Sequence, residues 1–279
     1  MCGRYAASAS LDGLVEEFEV DVDRSAEPTR SRLKTPQQPA AGTPDFNMAP
    51  TKQAPVILTR RGRDDPEGPA TRQLRLLTWG LVPSWSRDTT GAVRLINARV
   101  ETLARKPTFA PAFAARRCLV PAQGWYEWQS SPVALNPNGT PRRQPFFLTR
   151  VDGASTAFAG LYEFWRDPAT GGADDPATWL VTFTIITTPA EPGLDRIHDR
   201  QPLVLDPTEW AAWLDPQHGA DEAVGLLRPH PPGRFTAYPI GAAVGSSRAN
   251  GPGLLLPLPR SEWIGVLDPA TGEVVGGPE

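Results

Sequence analysis

The chain opens Met1-Cys2-Gly3-Arg4-Tyr5. A small second residue permits removal of Met1, which would leave a cysteine bearing an α-amine and a thiol on adjacent carbons. The amine, with an ordinary pKa of ~7.7–8.0, is partly neutral at pH 7. The thiol, near ~8.5, needs only a modest depression to react as thiolate. With an aldehyde, the amine can form an imine and the thiol can then close a five-membered thiazolidine. With an amide, the thiol can attack while the amine serves as base. Taken by itself, Cys2 is more simply read as an accident of sequence. Two other groups are of the kinds that transfer protons: Glu127, within Gly124-Trp125-Tyr126-Glu127-Trp128, and His198, within Ile197-His198-Asp199-Arg200-Gln201-Pro202. Each has a plainer reading, Glu127 as a partly exposed strand residue and His198 as a hydrogen-bond partner of Asp199. His218 and His230 sit in polar, Pro/Gly-rich contexts and are given no role. Cys118 enters a strand behind Arg116-Arg117 and reads as a buried core thiol.

The elements that must position these groups are short and mostly extended. Leu11, Leu14, Val15 and Phe18 have helical spacing and predict a first helix. Strand-like runs are Pro55-Val56-Ile57-Leu58, Phe146-Phe147-Leu148, Ala157 to Tyr162 and Trp179 to Thr187. Short helices are expected over Thr108 to Arg116, Thr208 to Leu214 and Asp221 to Leu227. Without regular strand–helix alternation the pattern favours an α+β fold over a doubly wound sheet. Residues 1–279 read as a single domain, with polar loop insertions at about 23–45, 60–71, 130–144 and 166–178. Trp125 and Trp128 alternate with Tyr126 and Glu127 as strand residues do. Trp79 and Trp85 flank a loop-like stretch. Core packing is the expectation for Trp79, whereas Trp85 has equal claims to packing and to stacking on a base.

Composition narrows the function classes. Only two cysteines, Cys2 and Cys118, exclude a disulfide scaffold and argue against a multi-cysteine zinc site. The net charge of −3 gives no global attraction to nucleic acid, so DNA binding would need a local basic groove. The 28 cationic residues include only three lysines, Lys34, Lys52 and Lys106. Arginine suits bidentate phosphate contacts, but Ala, Pro and Gly are also abundant, so composition bias accounts for most of the arginines. Apolar runs fall short of a membrane span and the start lacks a signal-peptide stretch, so a cytoplasmic protein is expected.

Further segments give the chemistry a context. They are Asn47-Met48-Ala49-Pro50-Thr51, Trp79-Gly80-Leu81-Val82-Pro83-Ser84-Trp85, Asn97-Ala98-Arg99-Val100-Glu101-Thr102, and the run from Arg116 to Trp128. With the N-terminal cysteine and the His198 segment, in this order, they resemble the SRAP family, the SOS-response-associated peptidase proteins that cross-link to abasic sites in DNA. The resemblance runs from Cys2 to about residue 260 and leaves the polar insertions unmatched. It implies one SRAP-type domain with a mixed, strongly curved, barrel-like sheet and short peripheral helices. It also implies a sensor of abasic sites in mainly single-stranded DNA, joined to the lesion as a thiazolidine through Cys2 once Met1 is gone. Peptidase activity, such as removal of its own Met1, is implied as well.

Residue by residue, the resemblance makes Cys2 the nucleophile and Asn97 the group that positions the sugar. Glu127 becomes the proton carrier and His198 the aid to ring opening. Arg99 and Arg200 match phosphate-gripping arginines, with Arg4 beside them. Thr187 falls where the family has a threonine at the site, and Trp85 is the candidate for base stacking. No cofactor and no metal are implied. The expected state is a monomer, nucleoid-associated when bound to DNA. Gln201 stands where the family usually has Met, and Trp125 where it often has Phe. Val244 to Pro252 matches the closing segment only loosely, which leaves Asn250 without an assigned role. Two competing readings stay open. Glutamine amidotransferases also begin Met-Cys-Gly, so an N-terminal-nucleophile amidohydrolase acting on a small amide is one, although those enzymes typically continue with Ile rather than Arg4. A DNA-binding module without chemistry is the other.

Overall fold

The computed structural model describes residues 2–277 except 28, 63, 64, 66, 168, 173, 174, 176, 177 and 229. Its strands are β1 (Tyr5–Ala7), β2 (Val22–Asp23), β3 (Asp45–Met48), β4 (Gln53–Arg60), β5 (Thr71–Trp79), β6 (Asn97–Arg99), β7 (Arg117–Ala122) and β8 (Gly124–Leu135). They continue as β9 (Pro141–Arg150), β10 (Thr156–Arg166), β11 (Trp179–Pro189), β12 (Arg200–Pro202), β13 (Val204–Leu205), β14 (Phe235–Pro239), β15 (Ile264–Leu267) and β16 (Val274–Gly276). The helices are α1 (Leu11–Glu17), α2 (Ala110–Ala115), α3 (Pro207–Leu214) and α4 (Ala220–Val224).

One sheet runs β12-β11-β10-β7-β4-β5-β2, and a further pairing of β11 with β5 closes five of these strands into a barrel. That closing contact is parallel, Thr182 opposite Thr78 and Phe183 opposite Trp79, whereas the other barrel pairs are antiparallel. The expected mixed, barrel-like α+β core is therefore present. The second sheet, β14-β9-β8-β1-β3, is antiparallel throughout. Barrel strands are buried on both faces. In β4, Val56 and Leu58 meet the apolar cluster shared with Trp125, Phe146 and Leu148 of the second sheet, while Ile57 meets the cluster of Leu14, Phe18, Phe113 and Trp213 from the helices. Continuous apolar runs replace alternation in strands covered on both sides.

The four expected helices are present, the last of them ending at Val224 rather than near Leu227. α1 starts because Ser10 Oγ accepts from the Gly13 amide, and α3 because Asp206 and Glu209 make a reciprocal capping box. One expectation changes. Residues 130–144 are not a loop: they extend β8 and β9 into a long hairpin, with Ser130 opposite Arg143 and Leu135 opposite Pro141, and only the tip 136–140 turns. Beyond about residue 260, where the resemblance stops, the chain continues in regular strands. Strands β15 and β16 form a closing hairpin against β8, with Val266 fully buried. The insertions at 23–45, 60–71 and 166–178 are largely irregular, although residues in each lie outside those described. No helix among the described residues is long and apolar enough to cross a membrane.

Candidate active site

The register of β1 on β8 brings the chain start to Glu127. Tyr5 pairs with Trp125 and Ala6 with Gly124, and the Tyr126 amide donates to the Arg4 carbonyl at 3.0 Å. Continuing that antiparallel register by two residues sets Gly3 opposite Glu127, with Cys2 beside it. From the other side, β6 lies parallel to β11, so Asn97 stands opposite Ile185. Asn97 Nδ2 donates to the Cys2 carbonyl at 2.9 Å, while its buried Oδ1 has no hydrogen-bond partner in the protein. His198 follows the turn Leu194–Arg196 that links β11 to β12. Asn97 is thus bonded to Cys2, Glu127 lies close enough for its charge to act on the Cys2 thiol, and Asp199, next to His198, close enough to act on Glu127.

Cys2 is fully buried. Burial, and secondarily the charge of Glu127, push its thiol well above the ordinary range, and Sγ lies 3.7 Å from the Arg4 carbonyl it donates to. The resting side chain is therefore a neutral thiol. Glu127 is 3% exposed, and burial pushes its carboxyl up to about 7 against the pull of the positive chain terminus. A carboxyl poised there can give or take a proton at physiological pH. Burial lowers His198 below the usual histidine value, the chain terminus adds to this, and Asp199 opposes it. The imidazole Nδ1 lies 3.0 Å from both the Arg200 amide and an Asp199 carboxylate oxygen. One ring nitrogen serves both only by changing state: neutral, it accepts from the amide; protonated, it donates to Asp199.

The Glu127 shift has a consequence for stability. A buried carboxyl with a folded pKa near 7, against 4.5 ordinarily, is held more comfortably as the acid. Its favourable contribution is complete below about pH 4.5 and is lost as pH rises through 7. That span corresponds to about 3 kcal/mol. Glu127→Gln is therefore expected to be more stable than the parent at pH 8 by up to about 3 kcal/mol, with the advantage gone by pH 4.5. Denaturant melts at the two pH values check this. Equal gains at both would show that ionisation of Glu127 costs nothing.

The arginines divide. Arg99 is exposed, with no side-chain hydrogen bond or ion pair among the described residues. Arg200 is 10% exposed at its side chain and forks onto Glu101, with Nη1 at 2.5 Å from Oε1 and Nη2 at 3.1 Å from Oε2. Its Nη2 also donates to the Thr187 carbonyl at 2.5 Å, and its buried Nε has no hydrogen-bond partner. Thr187 is 1% exposed, with Oγ1 3.4 Å from the same guanidinium, so it supports Arg200 from beneath rather than facing solvent. Arg4 takes a different place from the one expected. Its guanidinium turns to Asn47 Oδ1 at 2.7 Å and to the carbonyls of Val244 and Gly245, clamping the chain start to the closing segment. Trp85 is 65% exposed on the loop after β5. That loop leaves the strand at Gly80, whose φ of +117° and contact with the Ala92 carbonyl exclude a side chain.

Three contributors had no role in the sequence. Asn47, fully buried, donates to the carbonyls of Val244, Ser246 and Ala249, and its presence in a matched segment was the only signal. Asn250 Oδ1 accepts from the Phe46 amide at 2.7 Å, which gives it a structural place. Arg143, read as part of a loop, lies close enough for its charge to act on Glu127 and His198. Cys118 is buried and Trp79 is core, as expected. A hollow of about 740 Å³, lined by Glu19, Arg72 and Gln217 among others, contains none of the site residues. Asp206, Glu209 and His230 bring ligand atoms within 4.8 Å of one another, but Asp206 is occupied by Arg150 and Arg234, and with Glu209 it caps α3.

The family model for SOS response associated peptidase (SRAP) matches residues 1–247. The chain belongs to the SRAP family. It is 32% identical to the abasic site processing protein YoqW of Bacillus subtilis over 258 residues, covering 91% of this chain and 99% of that one. It is 30% identical to the abasic site processing protein HMCES of Rattus norvegicus over 287 residues, covering 92% and 76%. Among solved structures, a protein from Bacteroides thetaiotaomicron superposes with a TM-score of 0.66 at 22% identity, covering 92% of this SRAP chain and all of the other, which shows the shared fold.

Proposed function

We propose that this SRAP protein processes abasic sites in DNA, mainly single-stranded DNA, by joining the lesion covalently to Cys2. The observation that carries the reading is the placement of Asn97, Glu127 and His198 around the start of the chain. The names of the curated relatives agree with it. An abasic sugar is mostly a closed hemiacetal, and opening it moves one proton off the anomeric hydroxyl and one onto the ring oxygen. His198, able to accept from Arg200 or donate to Asp199, suits that exchange. The α-amine released by loss of Met1 adds to the aldehyde carbon. Glu127, whose carboxyl burial pushes up to about 7, supplies the proton with which water leaves as the imine forms. The Cys2 sulfur then adds to the imine carbon, its proton passing to the ring nitrogen by way of Glu127. Aldehyde, amine and thiol give thiazolidine and one water. A thiol held neutral by burial favours this order, with the amine reacting first. Asn97 grips the Cys2 carbonyl and keeps Oδ1 available for a sugar hydroxyl. Met1 itself lies outside the described residues, and its removal, by this site or by an aminopeptidase, belongs to the same proposal.

Denaturing electrophoresis with single-stranded abasic DNA tests the function: a slow-migrating product that survives heat and detergent is expected, and none from intact DNA. No such product would refute the reading. Binding has its own test. Arg99→Ala should reduce the slope of log K against log salt by roughly 0.7, one phosphate contact on a single strand. Arg200 differs, because a phosphate arriving there displaces Glu101 rather than a free counterion. Arg200→Ala should therefore change the slope little, whereas Glu101→Gln should steepen it by roughly 0.7. Identical slopes for Glu101→Gln and the parent would leave Arg200 outside the phosphate path.

A further inference from the structure

We propose that Gln129 and the closing hairpin β15–β16 are positioning elements for His198, so that residues beyond the family match act on the chemistry. The inference rests on the reading of His198 as a proton-transfer group. Residues two apart on a strand share a face, so β8 presents Glu127, Gln129 and Ser131 on one side at steps of roughly 6.8 Å. Glu127 enters the site. Gln129, 3% exposed, uses its amide in both directions: Nε2 donates to the carbonyls of Arg196 at 2.9 Å and Leu267 at 3.0 Å, and Oε1 accepts from the Leu267 amide at 2.7 Å. Two carbonyls on one end and an N–H on the other fix which way the amide faces.

Arg196 stands two residues before His198, and the His198 amide donates to Leu194 in the same turn at 3.1 Å. Gln129 therefore ties the turn carrying the imidazole to the strand carrying the carboxyl. The hairpin completes the brace. Arg196 Nη1 donates to the Pro269 carbonyl at 2.6 Å, within the turn between β15 and β16. Gly193, at φ +96°, lies so close to that carbonyl that a Cβ would meet it at 3.0 Å. One step further along β8, the buried Ser131 hydroxyl reaches the carbonyls of Ile264 and Gly265 and anchors the hairpin's first strand. The family match ends at residue 247, and the hairpin spans Ile264–Gly276. A brace of this kind acts on rate rather than on binding, because small displacements of a proton-transfer group weaken the reaction without touching phosphate contacts.

The test uses the full chain with Met1 removed, reacted in single turnover with single-stranded abasic oligonucleotide over a range of DNA concentrations. Gln129→Leu, and separately deletion of residues 261–279, should lower the maximal cross-linking rate by about ten-fold. The half-saturating DNA concentration should stay within about two-fold in both. In a His198→Ala background, Gln129→Leu should change the rate by less than about two-fold, as expected when one residue acts only through the other. If Gln129→Leu does not fold, Arg196→Met, at an exposed position, decides the matter and should lower the same rate several-fold. Parent-like rates in folded variants would overturn the proposal, as would an equal loss in the His198→Ala background. A fully active His198→Ala protein would instead refute the underlying reading of His198, a result distinguishable from the others because it appears in that single variant.

Discussion

Cys2→Ala is expected to yield no heat-stable product with abasic DNA while keeping most of the parent's non-covalent affinity. The two properties separate because they lie on different atoms. The exposed Arg99 and the paired Arg200 sit on β6 and β12, whereas the Cys2 thiol donates to the Arg4 carbonyl. The substitution also leaves the local backbone held, since Asn97 grips the Cys2 carbonyl rather than its sulfur. What disappears is the second bond to the aldehyde carbon. Alanine at position 2 still offers an amine after loss of Met1, and that amine can still form an imine, which water reverses. Adding a hydride reductant should therefore trap a product from Cys2→Ala that is absent without the reductant. The parent should need none. The loss of stable product without reductant should be at least about 10³-fold, the scale seen when a covalent nucleophile is removed. A stable adduct from Cys2→Ala without reductant would place the covalent bond on another residue.

Much of this site was legible in the sequence, because its chemistry is carried by side chains in short segments whose order survives folding. Cys2, Glu127 and His198 stood out by type and context and Asn97 by the family resemblance; in the fold Asn97 hydrogen-bonds to Cys2 and the charge of Glu127 acts on its thiol. Apolar spacing was enough for α1 and for the strands through Ile57, Phe147, Phe158 and Phe183. The barrel's closure was not legible: β5 and β11 are separated by about a hundred residues, and strands buried on both faces lose the alternation that would mark their partners. The β8–β9 extension was misread because Ser130 to Gln144 is rich in Ser, Pro, Asn and Arg. An antiparallel hairpin with a solvated face tolerates those residues. Arginine roles were the least readable. Arg4, Arg99 and Arg200 look alike in sequence, yet one clamps carbonyls, one is exposed and one is matched by Glu101. That difference arises from pairings among β6, β11 and β12 that no local pattern encodes.

The same geometry makes the chain terminus the most sensitive point of the molecule. A non-removable tag ahead of Cys2 turns its α-amine into an amide, whose nitrogen lone pair is delocalised and cannot form an imine. The thiol survives, but it is buried and held protonated, and its addition to an aldehyde alone gives a hemithioacetal that reverses. A protein blocked in this way should bind single-stranded DNA through its arginines and form no stable adduct. Cutting the block away so that Cys2 becomes the first residue should restore cross-linking. The register of β1 on β8 carries the start of the chain towards Glu127, and the chain's three lysines, Lys34, Lys52 and Lys106, lie outside the segments that hold Cys2, Asn97, Glu127 and His198. A tag after Glu279 leaves both nucleophiles and the β15–β16 hairpin intact and should cross-link normally, with intact mass showing loss of Met1. Stable adducts from the blocked protein, in a yield matching the free form, would require a bond through sulfur alone and would rule out the thiazolidine.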